Sequence, residues 1–129
     1  MPIKIIIADD HANGSSLLQQ AQDECLRIES SLDAYHPKSC IAAINAAAGT
    51  GDFTPLNAEA RSLFHFVQEL WSQSLRLFDP TTAVLQELYQ QDPIPQDRIT
   101  GMIPLLGWSQ VEITEAGVRN NINVGIHYL

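Results

Sequence analysis

Positive charge is scarce in this sequence of 129 residues, which has 7 Lys and Arg against 15 Asp and Glu. The net charge of -8 leaves no basic stripe that could neutralise a row of phosphates, so nucleic-acid binding is not expected. Long apolar runs and a basic, apolar leader are also lacking. The sequence therefore predicts no membrane segment, no signal peptide and, as written, a cytoplasmic protein.

Cysteine is equally scarce, with Cys25 and Cys40 standing apart and forming no CxxC pattern. This spacing favours two free thiols in a reducing compartment over a disulfide. The four histidines show neither an HxxxH nor an HxH spacing, so no metal site is predicted. Gly-x-Ser-x-Gly, HExxH and glycine-rich phosphate loops do not occur, and we name no catalytic residue.

What the sequence does contain is a succession of helix signals. Residues 3–8 are rich in isoleucine and predict a short strand. Apolar residues at three- and four-residue steps then predict a helix that begins at Ser15 or Ser16 and ends near Ala34. Its other face is polar, so we expect this helix to lie on a core with one side in water.

Further helices follow this first one. Ser39 is predicted to cap a short helix that runs through Ala46. Asn57 is predicted to cap a long helix whose apolar stripe ends at Leu75, and that helix is too apolar to be exposed. Two more helical segments are predicted at residues 83–89 and 96–106.

The end of the sequence predicts a β-hairpin. Val111 and Ile113 alternate with polar neighbours, and residues 115–117 form a turn. The returning strand is predicted to carry Val118, Ile122 and Val124. These elements predict one α+β domain over residues 1–129, with long helices packed on a small, mostly antiparallel sheet that includes the N-terminal strand and the C-terminal hairpin.

Asp9 and Asp10 follow the predicted N-terminal strand, as the metal-holding acids of a response-regulator receiver domain do. Receiver domains also resemble one another in a buried second strand that ends in Asp and in a late Lys. Asp52 follows no such strand, and the lysines are Lys4 and Lys38. The receiver interpretation therefore ranks last, and a turn that opens the first helix explains the two acids.

Several separated motifs resemble, in order, those of one enzyme family. They are R-I-E at residues 27–29, Y-H-P at 35–37 with Ser at 39, I-N at 44–45, A-A-G at 47–49, F-D-P-T at 78–81 and L-L-G-W at 105–108. This order resembles the front half of the FAD:protein FMN transferases, the bacterial flavin-transferring family also known as thiamine-biosynthesis lipoproteins.

The resemblance implies a flavin site. The family's aromatic turn contacts the flavin through a Tyr that Tyr35 matches, and Leu77, Phe78 and Asp79 lie along the segment that contacts FAD. The residues alone leave other interpretations open. Tyr35 is also typical of a surface-to-core residue with its hydroxyl in water, Phe78 of a core residue and Asp79 of a helix cap.

The sequence departs from the family's pattern in several places. Leu75 and Arg76 stand where the family usually has Gly-Gly, and Lys38 stands where an acidic residue is common. Residues 121–125 resemble the start of the family's L-D-L-G-G-I-x-K-G segment, but the second glycine and the Lys are absent. The family's metal-binding Asp and Thr lie beyond that segment, so the resemblance implies magnesium only in full-length relatives.

We therefore expect a truncated or natively short member of this family. Full-length relatives transfer FMN from FAD to a Ser or Thr of a target protein, whereas this chain is expected to be inactive or weakly flavin-binding alone. The alternative is a non-catalytic module for partner binding or self-association, because an open edge at the C-terminal hairpin favours a homo-oligomer. Relatives are often periplasmic or lipid-anchored.

Overall fold

The computed structural model describes residues 3–8, 12–121 and 125–126 of the chain. Within these ranges the helices are α1 (Gly14–Leu32), α2 (Cys40–Ala46), α3 (Ala58–Gln73), α4 (Ala83–Tyr89) and α5 (Gln96–Met102). The strands are β1 (Val111–Thr114) and β2 (Gly117–Asn120). Short 3-10 turns occupy Pro80–Thr82, Ile103–Leu105 and Trp108–Gln110. Among the described helices none is long and apolar enough to cross a bilayer.

Two predicted helix caps are confirmed. Ser39 Oγ accepts a hydrogen bond from the Ala42 amide at 3.0 Å, at the start of α2. Asn57 Oδ1 accepts one from the Ala60 amide at 2.8 Å, at the start of α3. Each cap satisfies one of the first-turn N–H groups that a helix leaves without an internal partner, and both helices begin where the sequence predicts.

The first helix covers far less of the core than predicted. None of the α1 residues is buried, and its exposed apolar residues are Leu17, Leu18, Leu26 and Ile28. Leu32 and the following Ala34 pack against the buried cluster at the C-terminal end of the helix. The expectation that α1 lies on a core is therefore wrong for most of its length, because a helical stripe identifies an apolar face but not what covers it.

The core forms where α2 and α3 meet the hairpin. Phe64 and Trp108 are fully buried, and their rings stack with centroids 5.7 Å apart. Around this pair the buried cluster consists of Ile41, Ile44, Val67, Val111, Val118 and Ile126. Burying each large apolar side chain contributes about 1.5–3 kcal/mol, so this cluster is the main source of stability in the described part of the chain.

The α+β class is confirmed, with one correction to the sheet. β1 and β2 pair antiparallel, with Val111 opposite Asn120 and Thr114 opposite Gly117. Residues 3–8 form no strand, because a strand needs partners for its N–H and C=O groups and the described residues provide none. The predicted strand residues Ile122 and Val124 and the acids Asp9 and Asp10 lie outside the described residues.

The loop between α2 and α3 closes over the second strand. Thr54 and Val118 exchange two backbone hydrogen bonds, at 2.8 and 2.9 Å. Gly117 has a φ of 130°, and a Cβ there would lie 2.0 Å from the Thr54 carbonyl oxygen, so only glycine fits this contact. The hairpin edge that was expected to be open is thus bridged on the β2 side, and self-association through the hairpin would have to use β1.

Candidate functional site

The turn after α1 is shaped by two side chains. Asp33 Oδ1 accepts from the Tyr35 amide at 2.9 Å, and Ser39 Oγ donates to the Asp33 carbonyl at 2.6 Å. Tyr35 is 72% exposed, and its hydroxyl donates to Glu87 Oε1 of α4 at 3.2 Å. The ring is therefore presented on the surface with its hydroxyl end held by a neighbouring helix.

The turn after α3 adopts a backbone conformation that side chains disfavour. Leu75 and Arg76 have φ values of 54° and 69°, in the left-handed region. These are the two positions where the motif pattern has Gly-Gly. The N–H groups of residues 75–78 all donate within the chain, so this turn presents side chains rather than free amides to a ligand.

Three side chains of this turn point away from the core. Leu77 is 89% exposed, and Phe78 is 37% exposed, so the interpretation of Phe78 as a core residue is wrong. The Arg76 guanidinium lies 5.1 Å from the centroid of the Trp71 ring, a cation–π distance. The turn therefore offers an apolar surface with one cation beside it.

Asp79 fastens the end of this turn to the segment that precedes β1. Its Oδ1 accepts from the Thr81 amide at 2.9 Å and from Thr81 Oγ1 at 2.7 Å, while its Oδ2 accepts from the Trp108 amide at 2.9 Å. The buried Thr81 Oγ1 in turn accepts from the Gly107 amide at 2.9 Å. The cap interpretation of Asp79 is confirmed, and the carboxylate also makes a long-range contact that sequence spacing does not reveal.

Trp108 secures the other end of that contact. The indole is fully buried, and its Nε1 donates to Gln68 Oε1 at 2.8 Å. The F-D-P-T and L-L-G-W motifs, which sequence reasoning noted separately, therefore meet in space through Asp79 and Trp108. The Asp of the F-D-P-T turn was the available signal, because a turn Asp commonly caps backbone N–H groups, but nothing local in the sequence specifies that it also binds the Trp108 amide.

Asn45 has a structural role that sequence reasoning also missed. Its Nδ2 donates to the Ile126 carbonyl at 2.9 Å, and its Oδ1 accepts from the Ile126 amide at 2.8 Å. The side-chain amide thus behaves like a neighbouring strand and satisfies both backbone groups of a fully buried residue. The I-N motif positions the segment after β2 against α2.

No metal cluster is formed by the part of the chain that the structure describes, where no three His, Cys, Asp or Glu side chains come together around a common point. Cys25 and Cys40 are both free and half-buried, as predicted. Burial raises the pKa of the Cys40 thiol, so this group is protonated at neutral pH and is a poor nucleophile.

A protein-family model described as the ApbE family matches residues 1–126. The chain belongs to the ApbE family. The resemblance read from the ordered motifs is therefore confirmed at the level of the family. The ApbE match spans the turn that carries Tyr35, the F-D-P-T turn and the hairpin.

Two solved ApbE structures share the fold. The ApbE protein from Thermotoga maritima has a TM-score of 0.78 and 17% identity, over 93% of this chain and 41% of that one. The flavinyl transferase ApbE of Pseudomonas stutzeri, in its apo form, has a TM-score of 0.70 and 19% identity, over 94% of this chain and 37% of that one. This chain thus spans about two fifths of either structure. No curated protein matches the chain.

Proposed function

We propose that this chain supplies a flavin-nucleotide-binding surface of an FAD:protein FMN transferase. The observation that carries the proposal is the ApbE family match over residues 1–126. For the complete fold, the proposed reaction joins a Ser or Thr hydroxyl oxygen of a target protein to the FMN phosphorus of FAD. The bond from that phosphorus to the bridging oxygen breaks, the hydroxyl proton is given up and AMP leaves.

Tyr35 is proposed to stack on the isoalloxazine ring. The turn that carries it is held by Asp33 and Ser39, and its hydroxyl is bonded to Glu87. An aromatic ring that is already held in place loses little conformational freedom when a flat ligand stacks on it. The exposure of the ring supports this role, since a buried Tyr35 would offer no face to a ligand.

Leu77 and Phe78 are proposed to supply the apolar surface of the second turn, on which an adenine or isoalloxazine ring would pack. Asp79 belongs to the proposed site as the residue that holds this turn, because both of its carboxylate oxygens already accept hydrogen bonds from the protein. Lys38 and Arg76 are the cations of the two turns and suit the diphosphate of a dinucleotide.

Magnesium is proposed to support the transfer in full-length relatives, where it would neutralise the diphosphate. The residues that the structure describes do not fit a magnesium site, because no three of their His, Cys, Asp or Glu side chains come together to hold a metal ion. No step of the proposal therefore passes through the metal, and flavin binding is the activity proposed for this chain itself.

Titration with FAD, followed by quenching of flavin fluorescence with and without magnesium, tests the proposal. We expect saturable binding, weakened about three- to tenfold by Tyr35→Ala through the loss of ring stacking. Tyr89→Ala is the matched control, because Tyr89 is 53% exposed and lies two residues beyond Glu87, on a different side of α4. Absence of saturable binding, or an equal loss in both variants, would contradict the proposal.

A non-catalytic binding module is the second candidate. Leu75 and Leu77 are 85% and 89% exposed, and clustered apolar exposure of this kind marks interaction surfaces. The same titration separates the two candidates, because a module that only binds proteins shows no saturable response to FAD.

A further inference from the structure

Arg76 is held at a defined place by the way α3 ends. The Leu75 amide donates to the Ser72 carbonyl at 3.3 Å. The Arg76 amide donates to the Trp71 carbonyl at 2.9 Å. Because Leu75 is in the left-handed region, these two bonds form a Schellman motif, in which the residue after the turn folds back on the last turn of the helix. The backbone therefore places Arg76 beside Trp71 before any ligand binds.

An aromatic face supports the Arg76 guanidinium. In a Schellman motif the side chains at these two positions commonly make an apolar contact. Here the guanidinium carbon lies over the Trp71 ring, 5.1 Å from the ring centroid. Trp71 packs against the buried cluster, so the ring beneath the cation is anchored in the core. A guanidinium that stacks by its flat face keeps the N–H groups along its edge available to an acceptor.

This guanidinium has no acceptor in the part of the chain that the structure describes. Arg27 and Arg119 pair with carboxylates, and Arg61 donates to two carbonyls of the hairpin turn. No described residue accepts a hydrogen bond from the Arg76 side chain. In a chain with 15 acidic against 7 basic residues, an arginine that is held in place and left unneutralised is suited to an anion from outside the chain.

Apolar surface adjoins this cation. Leu77 is 89% exposed and Phe78 is 37% exposed, and both follow Arg76 directly in the turn. Asp79 does not compete for the guanidinium, because both of its carboxylate oxygens accept hydrogen bonds from the backbone. A cation next to an apolar surface matches a ligand that joins a flat ring to a phosphate group, as a nucleotide does.

We infer that Arg76 is the phosphate-recognising residue of the second turn and makes this surface select nucleotides over a flavin that lacks phosphate. The guanidinium donates two N–H bonds to the oxygens of one phosphoryl group, and the ring of the ligand packs on Leu77 and Phe78. The inference deepens the proposed function and rests on it for the flavin ring, whereas recognition of the phosphate needs only Arg76.

Recognition by a side chain is particular to this sequence. Leu75 and Arg76 stand where the family usually has Gly-Gly. The amides of residues 75–78 already donate within the chain, so the backbone of this turn offers no N–H group to a phosphate. The Arg76 guanidinium supplies the donors that the backbone does not.

Titration with ADP in the absence of magnesium tests the inference, because ADP carries a diphosphate and no flavin ring. The signals followed are the indole N–H of Trp71 and the amides of residues 74–79 in the isotope-labelled chain. We expect saturable shifts of these signals in the wild-type chain. FAD and riboflavin are titrated in parallel, since riboflavin has the flavin ring and no phosphate.

Three variants isolate the guanidinium. Arg76→Gln removes the charge and keeps a side chain at a positive φ, so backbone strain is retained, and we expect it to weaken ADP and FAD binding about tenfold and to leave the response to riboflavin unchanged. Arg76→Lys keeps the charge and loses the planar fork, which should cost about threefold. Arg98→Gln is the matched control, because Arg98 is exposed and no described aromatic ring lies beneath it.

Each outcome decides the inference. It is overturned if ADP causes no saturable shift in the wild-type chain, if Arg76→Gln and Arg98→Gln weaken ADP binding equally, or if riboflavin binding falls as much as FAD binding. FAD binding that is equal in the wild type and Arg76→Gln would leave the proposed function standing and overturn this inference. ADP binding through Arg76 without any flavin binding would do the reverse. Equal unfolding midpoints verify that the variants fold.

Discussion

At the scale of single residues, Asp79 controls how firmly the second turn of the candidate site is held. We expect Asp79→Asn to lower the free energy of unfolding by about 1.5–3 kcal/mol, because an amide nitrogen replaces one carboxylate acceptor and faces a backbone donor. Urea unfolding with a constant m-value measures the change. Asp23→Asn is the control, because Asp23 is exposed and its bond from Gln19 needs one acceptor that Asn retains. Equal changes in the free energy of unfolding of the two variants would contradict the role of Asp79 in holding the second turn.

Leu75 provides a test of backbone strain. Its φ of 54° lies in the left-handed region and its side chain is 85% exposed, so glycine there relieves strain without losing packing. We expect Leu75→Gly to raise the free energy of unfolding by about 0.5–1 kcal/mol. Leu77→Gly is the matched control, because Leu77 is equally exposed but has no positive φ, so glycine there should destabilise the chain. Thermal unfolding of both variants shows whether each substitution raises or lowers the stability of the chain.

Single-residue chemistry explains which parts of the site the sequence predicts. The caps by Ser39 and Asn57 are predictable because the side chain and the amide it serves are three residues apart. The contact from Asp79 to Trp108 spans 29 residues, and no local pattern selects that partner. The flavin roles of Tyr35, Leu77, Phe78 and Asp79 stay predictions.

At the scale of elements, Asn45 joins α2 to the segment after the hairpin. Replacing it by Asp removes the Nδ2 donor and places a charge beside the carbonyl of the buried Ile126, although Asn45 itself is half-buried. We expect Asn45→Asp to cost at least about 2 kcal/mol of unfolding free energy. Asn57→Asp is the control, because Asp caps a helix as well as Asn does. Urea unfolding measures the free energy of unfolding of both variants. An Asn45→Asp variant as stable as the wild type would show that the Ile126 backbone groups have other hydrogen-bond partners.

The contact between α1 and α3 gives an expected pH dependence. Arg27 Nη2 lies 2.7 Å from Glu24 and 2.6 Å from Glu59, and hydrogen bonding to this guanidinium lowers the pKa of both carboxyls from 4.5. A lowered folded pKa stabilises the fold above the unfolded value, and that stabilisation is lost as the pH falls through the folded value.

The measurement is the unfolding midpoint of Arg27→Gln against wild type. Their difference should be small at neutral pH, because the pairs are exposed, and should shrink further as the pH falls below the ordinary carboxyl pKa of 4.5. Arg98→Gln serves as the control, since the described residues give Arg98 no ion pair. If the difference in unfolding midpoint between Arg27→Gln and wild type grew on acidification, Arg27 would not be the cause of the lowered carboxyl pKa values.

Elements also show where sequence-based prediction stops. Helical periodicity locates α1 and α3 correctly, but α3 contributes buried Ala60, Phe64 and Val67 to the core whereas no residue of α1 is buried. Residues 3–8 have a strand's composition, but they make no backbone hydrogen bond with any other described residue. Local sequence predicts whether a segment is helical or extended. Which other elements pack on that segment depends on residues far away in the sequence.

At the scale of the whole molecule, the described residues combine a buried core with exposed apolar surfaces. Phe64, Trp108 and their neighbours are buried, whereas apolar residues of α1 and of the two candidate flavin turns are exposed to solvent. A flavin site normally encloses most of its ligand. We therefore expect this chain alone to bind FAD more weakly than a complete ApbE protein, which parallel fluorescence titrations of this chain and the Pseudomonas stutzeri protein measure.

The measurement that tests the central proposal most directly is an amide NMR titration of the isotope-labelled chain with FAD. We expect saturable shifts for the amides of residues 33–36, 38–39 and 74–79, in the two turns that carry Tyr35, Leu77, Phe78 and Asp79. We expect no shifts for Leu18 and Leu26, which lie on α1 outside these turns. Shifts confined to α1, or none anywhere at saturating FAD, would contradict the proposal.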